Sequence, residues 1–157
     1  LLYYKGIERE VFVSECIEYA PRTQKVQGYT GRFKRYFERA KRAAIQSEFP
    51  DYRHGAILVK GNSIRNISSN KANFCSFGNR FRSMIPGKAT LHAELGVILG
   101  IDRRITEGAT IFVTRVGKEG DYKMSMPCAM CHEAMLHVGI KKVVYSINNH
   151  TVGSYKL

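Results

Sequence analysis

Apolar residues between positions 32 and 49 recur with the spacing of one face of a helix. The stripe consists of Phe33, Phe37, Ala40 and Ala44, and the opposite face is mostly Arg and Lys. A period near 3.6 residues predicts an amphipathic helix, and Pro50 cannot continue it. Residues 55–60 then form a compact apolar strand. Because Gly61-Asn62 suits a two-residue turn, residues 63–69 are predicted to return as its hairpin partner.

Two helices alternate with two strands in the second half of the chain. Thr90 can cap a helix over residues 91–99, and Pro127 suits the first position of a helix that reaches His137. Strands rich in β-branched residues are predicted over 109–116 and 141–146. Strands joined through single helices favour parallel pairing with right-handed crossovers, which predicts an α/β fold of three layers, an α/β/α sandwich.

The residues that precede the first predicted helix do not continue this pattern of helices and strands. A strand is predicted over residues 10–19, and residues 21–31 are rich in turn formers. We therefore expect an N-terminal extension over residues 1–30, which contains that strand, and one domain over 31–157.

Composition narrows the class of protein. A chain of 157 residues with 44% hydrophobic and 24% charged residues is typical of one globular domain rather than a disordered segment. Its apolar runs are too short to span a bilayer, and its first residues lack the apolar stretch of a secretory signal. The expectation is a soluble, cytoplasmic protein with no membrane partner; the oligomeric state stays open.

The net charge of +12 predicts attraction to phosphate groups. Much of the excess lies in residues 31–49 and in the predicted loop 70–89. That loop interleaves basic and aromatic side chains, namely Lys71, Phe74, Phe77, Arg80, Phe81, Arg82 and Lys88. Cations that follow phosphates and rings that stack on bases would suit single-stranded nucleic acid. The alternative is that the rings anchor the loop to the core.

The chemistry is concentrated in two motifs, His92-Ala93-Glu94 and Pro127-Cys128-Ala129-Met130-Cys131. One imidazole and two thiolates from the starts of two helices suit tetrahedral Zn²⁺ and leave a fourth position for water, as in catalytic sites. Glu94 could then move a proton between that water and a leaving group. A C-x-x-C pair alone could also be a redox motif, and Cys16 or Cys75 could close a structural zinc site.

Together the motifs resemble the signature of the cytidine deaminase superfamily, H-x-E followed by P-C-x-x-C. The likeness extends over about residues 32–146 and implies a three-layer α/β/α sandwich with a mixed central sheet. It implies that His92, Cys128 and Cys131 hold zinc and that Glu94 shuttles protons. Asn70 is similar to an asparagine that many members place against the base or sugar. Tyr145 resembles an aromatic residue beside the pocket in polynucleotide deaminases, or else belongs to the core.

We therefore predict a zinc-dependent hydrolase that converts cytosine to uracil, with single-stranded nucleic acid, DNA in particular, as the preferred substrate. The expected substrate contacts are Asn70, Ala93, Tyr145, Phe77, Arg80, Arg82 and Lys71. A free nucleotide such as dCMP is the first alternative. A tRNA adenosine, suggested by Pro-Cys-Ala-Met-Cys, is the second. A zinc-stabilised nucleic-acid-binding module without catalysis is the third, and the presence of Glu94 argues against it.

Overall fold

A computed structural model describes residues 25–82 and 88–157; the strand predicted over 10–19 lies outside them. The helices are α1 (Arg32–Ile45), α2 (Ser76–Asn79), α3 (Ala93–Ile98), α4 (Arg103–Thr106) and α5 (Ala129–His137). The strands are β1 (Lys25–Gly28), β2 (Arg53–Lys60), β3 (Ser63–Ser69), β4 (Lys71–Phe74), β5 (Thr90–Leu91), β6 (Thr110–Val116), β7 (Tyr122–Lys123), β8 (Lys142–Ser146) and β9 (Thr151–Lys156).

The main sheet has the strand order β1-β9-β8-β6-β2-β3, and β7 pairs with β6 outside this path. Strands β6 and β8 are parallel, whereas the other pairs in the sheet are antiparallel. The sheet is therefore mixed, and the predicted α/β class is confirmed. Strands β4 and β5 form a separate two-stranded ribbon.

Alternate residues of the central strands face two different apolar layers. Ile57 and Phe112 pack with the buried side of α1, whereas Leu58 and Val113 pack with α3 and α5. This alternation follows from the two-residue period of a strand. It makes three layers, with α1 on one face of the sheet and α3 and α5 on the other.

Two glycine positions determine how the first helix and the hairpin fit together. A Cβ at Gly55 would lie 2.1 Å from the carbonyl oxygen of Ala40, so the absent side chain lets α1 approach β2 closely. Gly61 and Asn62 both have positive φ, 59° and 62°. Such a pair is typical of the type I′ turn, and the predicted hairpin is confirmed.

The structure differs from the sequence prediction at several helix and strand boundaries. Residues 25–28, which belong to the turn-rich segment 21–31, form β1 and pair with β9. Thr90 does not cap α3, because it pairs with Phe74 in the short ribbon. The N-cap of α3 is instead His92, and the N-cap of α5 is Cys128. Their ψ values of 154° and 168° are extended, so the helical conformation begins at the residue after each cap. None of the helices in residues 25–82 and 88–157 has the length and apolar content needed to span a bilayer.

Candidate active site

The starts of α3 and α5 bring three metal-ligating side chains together. His92 caps α3, Cys128 caps α5, and Cys131 lies one turn further along α5. The Nδ1 atom of His92 lies 3.4 Å from the Sγ of Cys131 and 3.7 Å from the Sγ of Cys128. In the parts of the chain that the structure describes, these residues form the one group of at least three side chains whose ligand atoms lie within 4.8 Å of one another.

The donor set and its spacing fit zinc. Zn–N and Zn–S bonds of about 2.0 and 2.3 Å in a tetrahedron separate nitrogen from sulfur by about 3.5 Å, close to the two observed distances. The Cys75 thiol lies elsewhere, since it accepts a hydrogen bond from the Gly78 amide at the start of α2. Cys16 lies outside the described residues. The described ligands therefore number three, which leaves a fourth position of a tetrahedral ion for water or substrate.

The local electrostatics prepare the two cysteines and the histidine for a cation. A hydrogen bond from the Cys131 thiol and the nearby His92 imidazole hold the pKa of Cys128 well below its usual range, although burial opposes this. Burial alone would lower the pKa of His92, but its hydrogen bond to Cys128 and the thiolate charge raise it to about 9. Both shifts favour the charged forms of His92 and Cys128 before a metal binds, and binding of a cation to a protonated His92 would release a proton.

Glu94 is the acidic residue of this site. It is 5% exposed, and burial raises its pKa to about 7, helped by the Cys128 charge and opposed by His92. A carboxyl group with a pKa near neutrality can both accept and donate a proton under ordinary conditions. Glu94 thus has the burial and the proton affinity required of a proton carrier.

A cavity of about 280 Å³ opens beside these groups. Its lining residues are Phe49, Tyr52, His54, Asn70, Thr90, His92, Ala93, Glu94, Met126 and Cys128. Asn70 and Ala93, two of the expected substrate contacts, are among them. Sequence reasoning did not select Phe49, Tyr52, His54 and Met126, because they belong to no motif. The available indication was the position of His54 directly before the predicted apolar strand 55–60.

The Asn70 amide connects the walls of the cavity. Its oxygen accepts hydrogen bonds from the His54 amide at 3.0 Å and from the Ser47 hydroxyl at 2.5 Å. Its nitrogen donates to the carbonyl oxygen of Tyr52 at 2.6 Å. Asn70 therefore fastens the segment between α1 and β2 to the end of β3, and through it positions the aromatic wall of the cavity.

His54 supplies a neutral imidazole to the same wall. Burial lowers its pKa to about 4, so the ring is uncharged near neutral pH. Its Nδ1 lies 3.2 Å from the carbonyl oxygen of Tyr52, which assigns the ring proton to Nδ1. The Nε2 atom is then a hydrogen-bond acceptor.

The other expected substrate contacts are not among the residues that line the cavity. Tyr145 is 1% exposed and packs in the core, where Gly153 leaves room for its ring. Phe77 is half-buried; its ring lies 5.2 Å from that of Phe81, and both pack against the core. Both rings thus pack with the core, and their role as substrate contacts stays a prediction.

The basic residues of segment 71–82 have different surroundings. Lys71 and Arg80 are exposed, and the Arg80 guanidinium lies 6.0 Å from the centre of the Phe77 ring. Arg82 is half-buried and donates a hydrogen bond to the Lys88 carbonyl oxygen at 3.1 Å. Its charge lowers the pKa of His92, so among these three cations it is the one that acts on the metal ligands.

Comparison with known proteins agrees with this geometry. The chain is 29% identical over 121 residues to a deoxycytidylate deaminase of Mycobacterium phage D29. The aligned region covers 68% of this chain and 87% of the relative. A family model described as the cytidine and deoxycytidylate deaminase zinc-binding region matches residues 32–147. That range contains all three ligands and Glu94 and most of the chain, and the chain therefore belongs to the family of zinc-binding cytidine and deoxycytidylate deaminases.

Proposed function

We propose that the protein hydrolyses the exocyclic amine of cytosine in a free nucleotide of the deoxycytidylate class. The observation that carries this proposal is the burial of Glu94 in the cavity that also holds His92 and Cys128. Water and a cytosine would enter there, and uracil and ammonia would leave. A C–O bond forms at C4 of the base, the C–N bond breaks, and its electron pair departs with the nitrogen.

The residues of the site have distinct roles in this reaction. Bound zinc, held by His92, Cys128 and Cys131, would supply a Lewis acid that lowers the pKa of water. Glu94 takes a proton from the attacking water and delivers it to the leaving nitrogen. Phe49 and Tyr52 provide an apolar wall beside the base, and His54 offers a neutral acceptor.

Two observations support a free nucleotide over a polynucleotide. The relative from the phage is by name a deoxycytidylate deaminase. In addition, Phe77 and Phe81 pack against the core, which leaves fewer rings of segment 70–89 for stacking on successive bases. The preference for single-stranded nucleic acid that the sequence favoured stays a prediction.

The test offers the purified protein dCMP, dCTP, cytidine, a cytosine-containing oligonucleotide and tRNA side by side and measures ammonia release. We expect dCMP to have the highest kcat/KM. Glu94→Gln should retain bound zinc and lose activity by about 10²–10⁴-fold, whereas the control Glu119→Gln, at an exposed loop position, should match the wild type. Wild-type activity in Glu94→Gln would refute the proton-carrier role, and a higher kcat/KM for the oligonucleotide would refute the substrate class.

One observation favours the polynucleotide as a second candidate. Phe74 is 55% exposed on β4, and the Lys88 ammonium lies 5.7 Å from the centre of its ring. An exposed ring beside a cation suits a stacked base next to its phosphate. If this is the substrate surface, Phe74→Ala should raise KM for the oligonucleotide and leave KM for dCMP unchanged. Equal KM values for both proteins on the oligonucleotide would contradict the candidate.

A further inference from the structure

His54 belongs to the wall of the candidate active site, and the deamination itself assigns it no proton to move. It lies near the start of β2, two positions before Ala56, whose side chain is buried in the apolar layer beside α3 and α5. Side chains two positions apart on a strand point to the same face, so the His54 ring lies on the face of the sheet that carries the metal ligands. There it lines the same cavity as Glu94 and Cys128.

Three hydrogen bonds hold His54 in one position. Its backbone amide donates to the side-chain oxygen of Asn70 at 3.0 Å, and its carbonyl oxygen accepts a hydrogen bond from the Asn70 backbone amide at 3.2 Å. Its ring nitrogen Nδ1 lies 3.2 Å from the carbonyl oxygen of Tyr52, a group that can only accept. The proton of the neutral ring is therefore on Nδ1, and Nε2 carries a lone pair. A ring fixed in this way loses little conformational freedom when a donor binds to Nε2.

The surroundings keep this ring uncharged. Burial lowers the pKa of His54 to about 4, helped by His92 and Arg115. The Tyr52 carbonyl oxygen and Cys128 act in the opposite direction without reversing the shift. Arg115 is the partner of His54 in the β2–β6 ladder, and its guanidinium lies 5.0 Å from the centre of the Tyr52 ring. Near neutral pH a group that pairs with Nε2 of His54 must therefore be a donor.

The acceptor capacity of Asn70 is already used. Its side-chain oxygen has two lone pairs, and it accepts hydrogen bonds from the His54 amide and the Ser47 hydroxyl. Its side-chain nitrogen donates to the Tyr52 carbonyl oxygen, which fixes the orientation of the amide, because the flipped group would set an oxygen against that carbonyl. The family resemblance implies that this asparagine contacts the base or sugar, but its oxygen has no lone pair left for a substrate donor. The Nε2 atom of His54 offers this wall an acceptor in its place.

The proposed substrate has few hydrogen-bond donors. In dCMP they are the exocyclic amine and the 3′-hydroxyl, whereas the base carbonyl, the unprotonated ring nitrogen and the phosphate dianion only accept. The amine must lie beside Glu94 and the metal ligands, because it is the group that leaves. The 3′-hydroxyl is then the donor available to His54. At an internal residue of a polynucleotide this oxygen is esterified and has no proton to donate.

We propose that His54 is a specificity-determining residue whose Nε2 atom accepts a hydrogen bond from the 3′-hydroxyl of the substrate sugar. An esterified 3′ oxygen would leave this acceptor unpaired in the cavity wall, so the same contact selects a free deoxynucleotide over an internal residue of a polynucleotide. This inference rests on the proposed function and deepens it, because it names the residue that distinguishes the two substrate classes.

Two substitutions at this position separate the roles of the two ring nitrogens. His54→Asn keeps a donor at the place of Nδ1 and has no acceptor at the place of Nε2, whereas the longer His54→Gln can present an oxygen there. His150→Asn, at an exposed position before β9, is the matched control. The assay measures kcat/KM of the zinc-loaded proteins for dCMP, for 2′,3′-dideoxycytidine monophosphate, which lacks the hydroxyl, and for 3′-O-methyl-dCMP, which lacks its proton.

We expect the wild type and the control to prefer dCMP over both analogues by about tenfold or more, the usual effect of leaving one polar group unpaired. His54→Asn should reduce the preference over the dideoxynucleotide to within about twofold, and His54→Gln should restore part of it. A general loss of stability would lower all three values together, so their ratio reports the contact. Equal kcat/KM for dCMP and either analogue in the wild type, or an unchanged preference in His54→Asn, overturns the inference.

Binding measurements distinguish this inference from the deaminase proposal. Ammonia release from dCMP without a preference over the dideoxynucleotide would support the deaminase and refute the role of His54. Without ammonia release from any nucleotide, titration calorimetry with dUMP and 2′,3′-dideoxyuridine monophosphate tests the same contact, because neither has an amine to lose. Tighter binding of dUMP by about tenfold, lost in His54→Asn, supports the acceptor. Equal affinities, or no binding of either nucleotide, overturn it.

Discussion

Replacing Glu94 by glutamine should make the metal-free protein more stable while it abolishes the proton carrier. The carboxyl group is 5% exposed, and burial raises its pKa from an ordinary 4.5 to about 7. The native state therefore holds this proton more tightly than the unfolded chain does. The tighter binding of this proton stabilises the folded state fully below pH 4.5, and this stabilisation is lost as the pH rises to about 7.

The size of the effect follows from that pKa difference. Keeping Glu94 ionised in the folded protein costs about 3 kcal/mol relative to the unfolded chain above pH 7. Glutamine has a similar shape and no charge to desolvate. We therefore expect Glu94→Gln to raise the free energy of unfolding by up to about 3 kcal/mol at pH 8 and to change it little at pH 4.5.

Urea denaturation in the presence of a chelator, at pH 4.5 and at pH 8, measures this difference. Comparing the variant with the wild type at each pH gives the contribution of residue 94 together with its effect on the pKa values of His92 and Cys131, both of which Glu94 raises. Glu119→Gln, at an exposed loop position, is the control and should show no such pH dependence. A stability difference that is the same at both pH values, or that favours the wild type at pH 8, would refute the reasoning from burial.

Three further predictions concern packing, a buried hydrogen bond and the metal. Gly55→Ala should lower the free energy of unfolding by about 3 kcal/mol, because its Cβ would lie 2.1 Å from the Ala40 carbonyl oxygen; an unchanged urea midpoint would contradict the close approach of α1. Ser125→Ala should lower the free energy of unfolding by about 1–3 kcal/mol, because the buried Ser125 hydroxyl accepts a hydrogen bond from the Ser146 amide at 2.8 Å. Retention of wild-type stability would mean that water replaces the hydroxyl. Cys131→Ser should reduce the zinc content measured by atomic emission well below the wild-type value, and undiminished stoichiometry would remove this sulfur from the ligand set.

Short-range patterns in the sequence predicted much of the fold and the centre of the site. The apolar stripe that includes Phe37 and Ala40 identified α1, and Gly61-Asn62 identified the hairpin, because both depend on residues only a few positions apart. His92, Glu94 and the two motif cysteines were recognised for the same reason. Helix geometry relates positions within one turn, so a motif at a helix start already limits where its side chains can lie.

Only the tertiary structure decided which residues surround that centre. Tyr145 lies in the core because its strand is covered on both faces, and residues 25–28 form an edge strand because β9 presents an open edge to them. The wall that contains Phe49 and His54 depends on Asn70, which fastens segments that are distant in the chain. Local periodicity contains no information on such pairings, since they are selected by the packing free energy of the whole sheet and its helices.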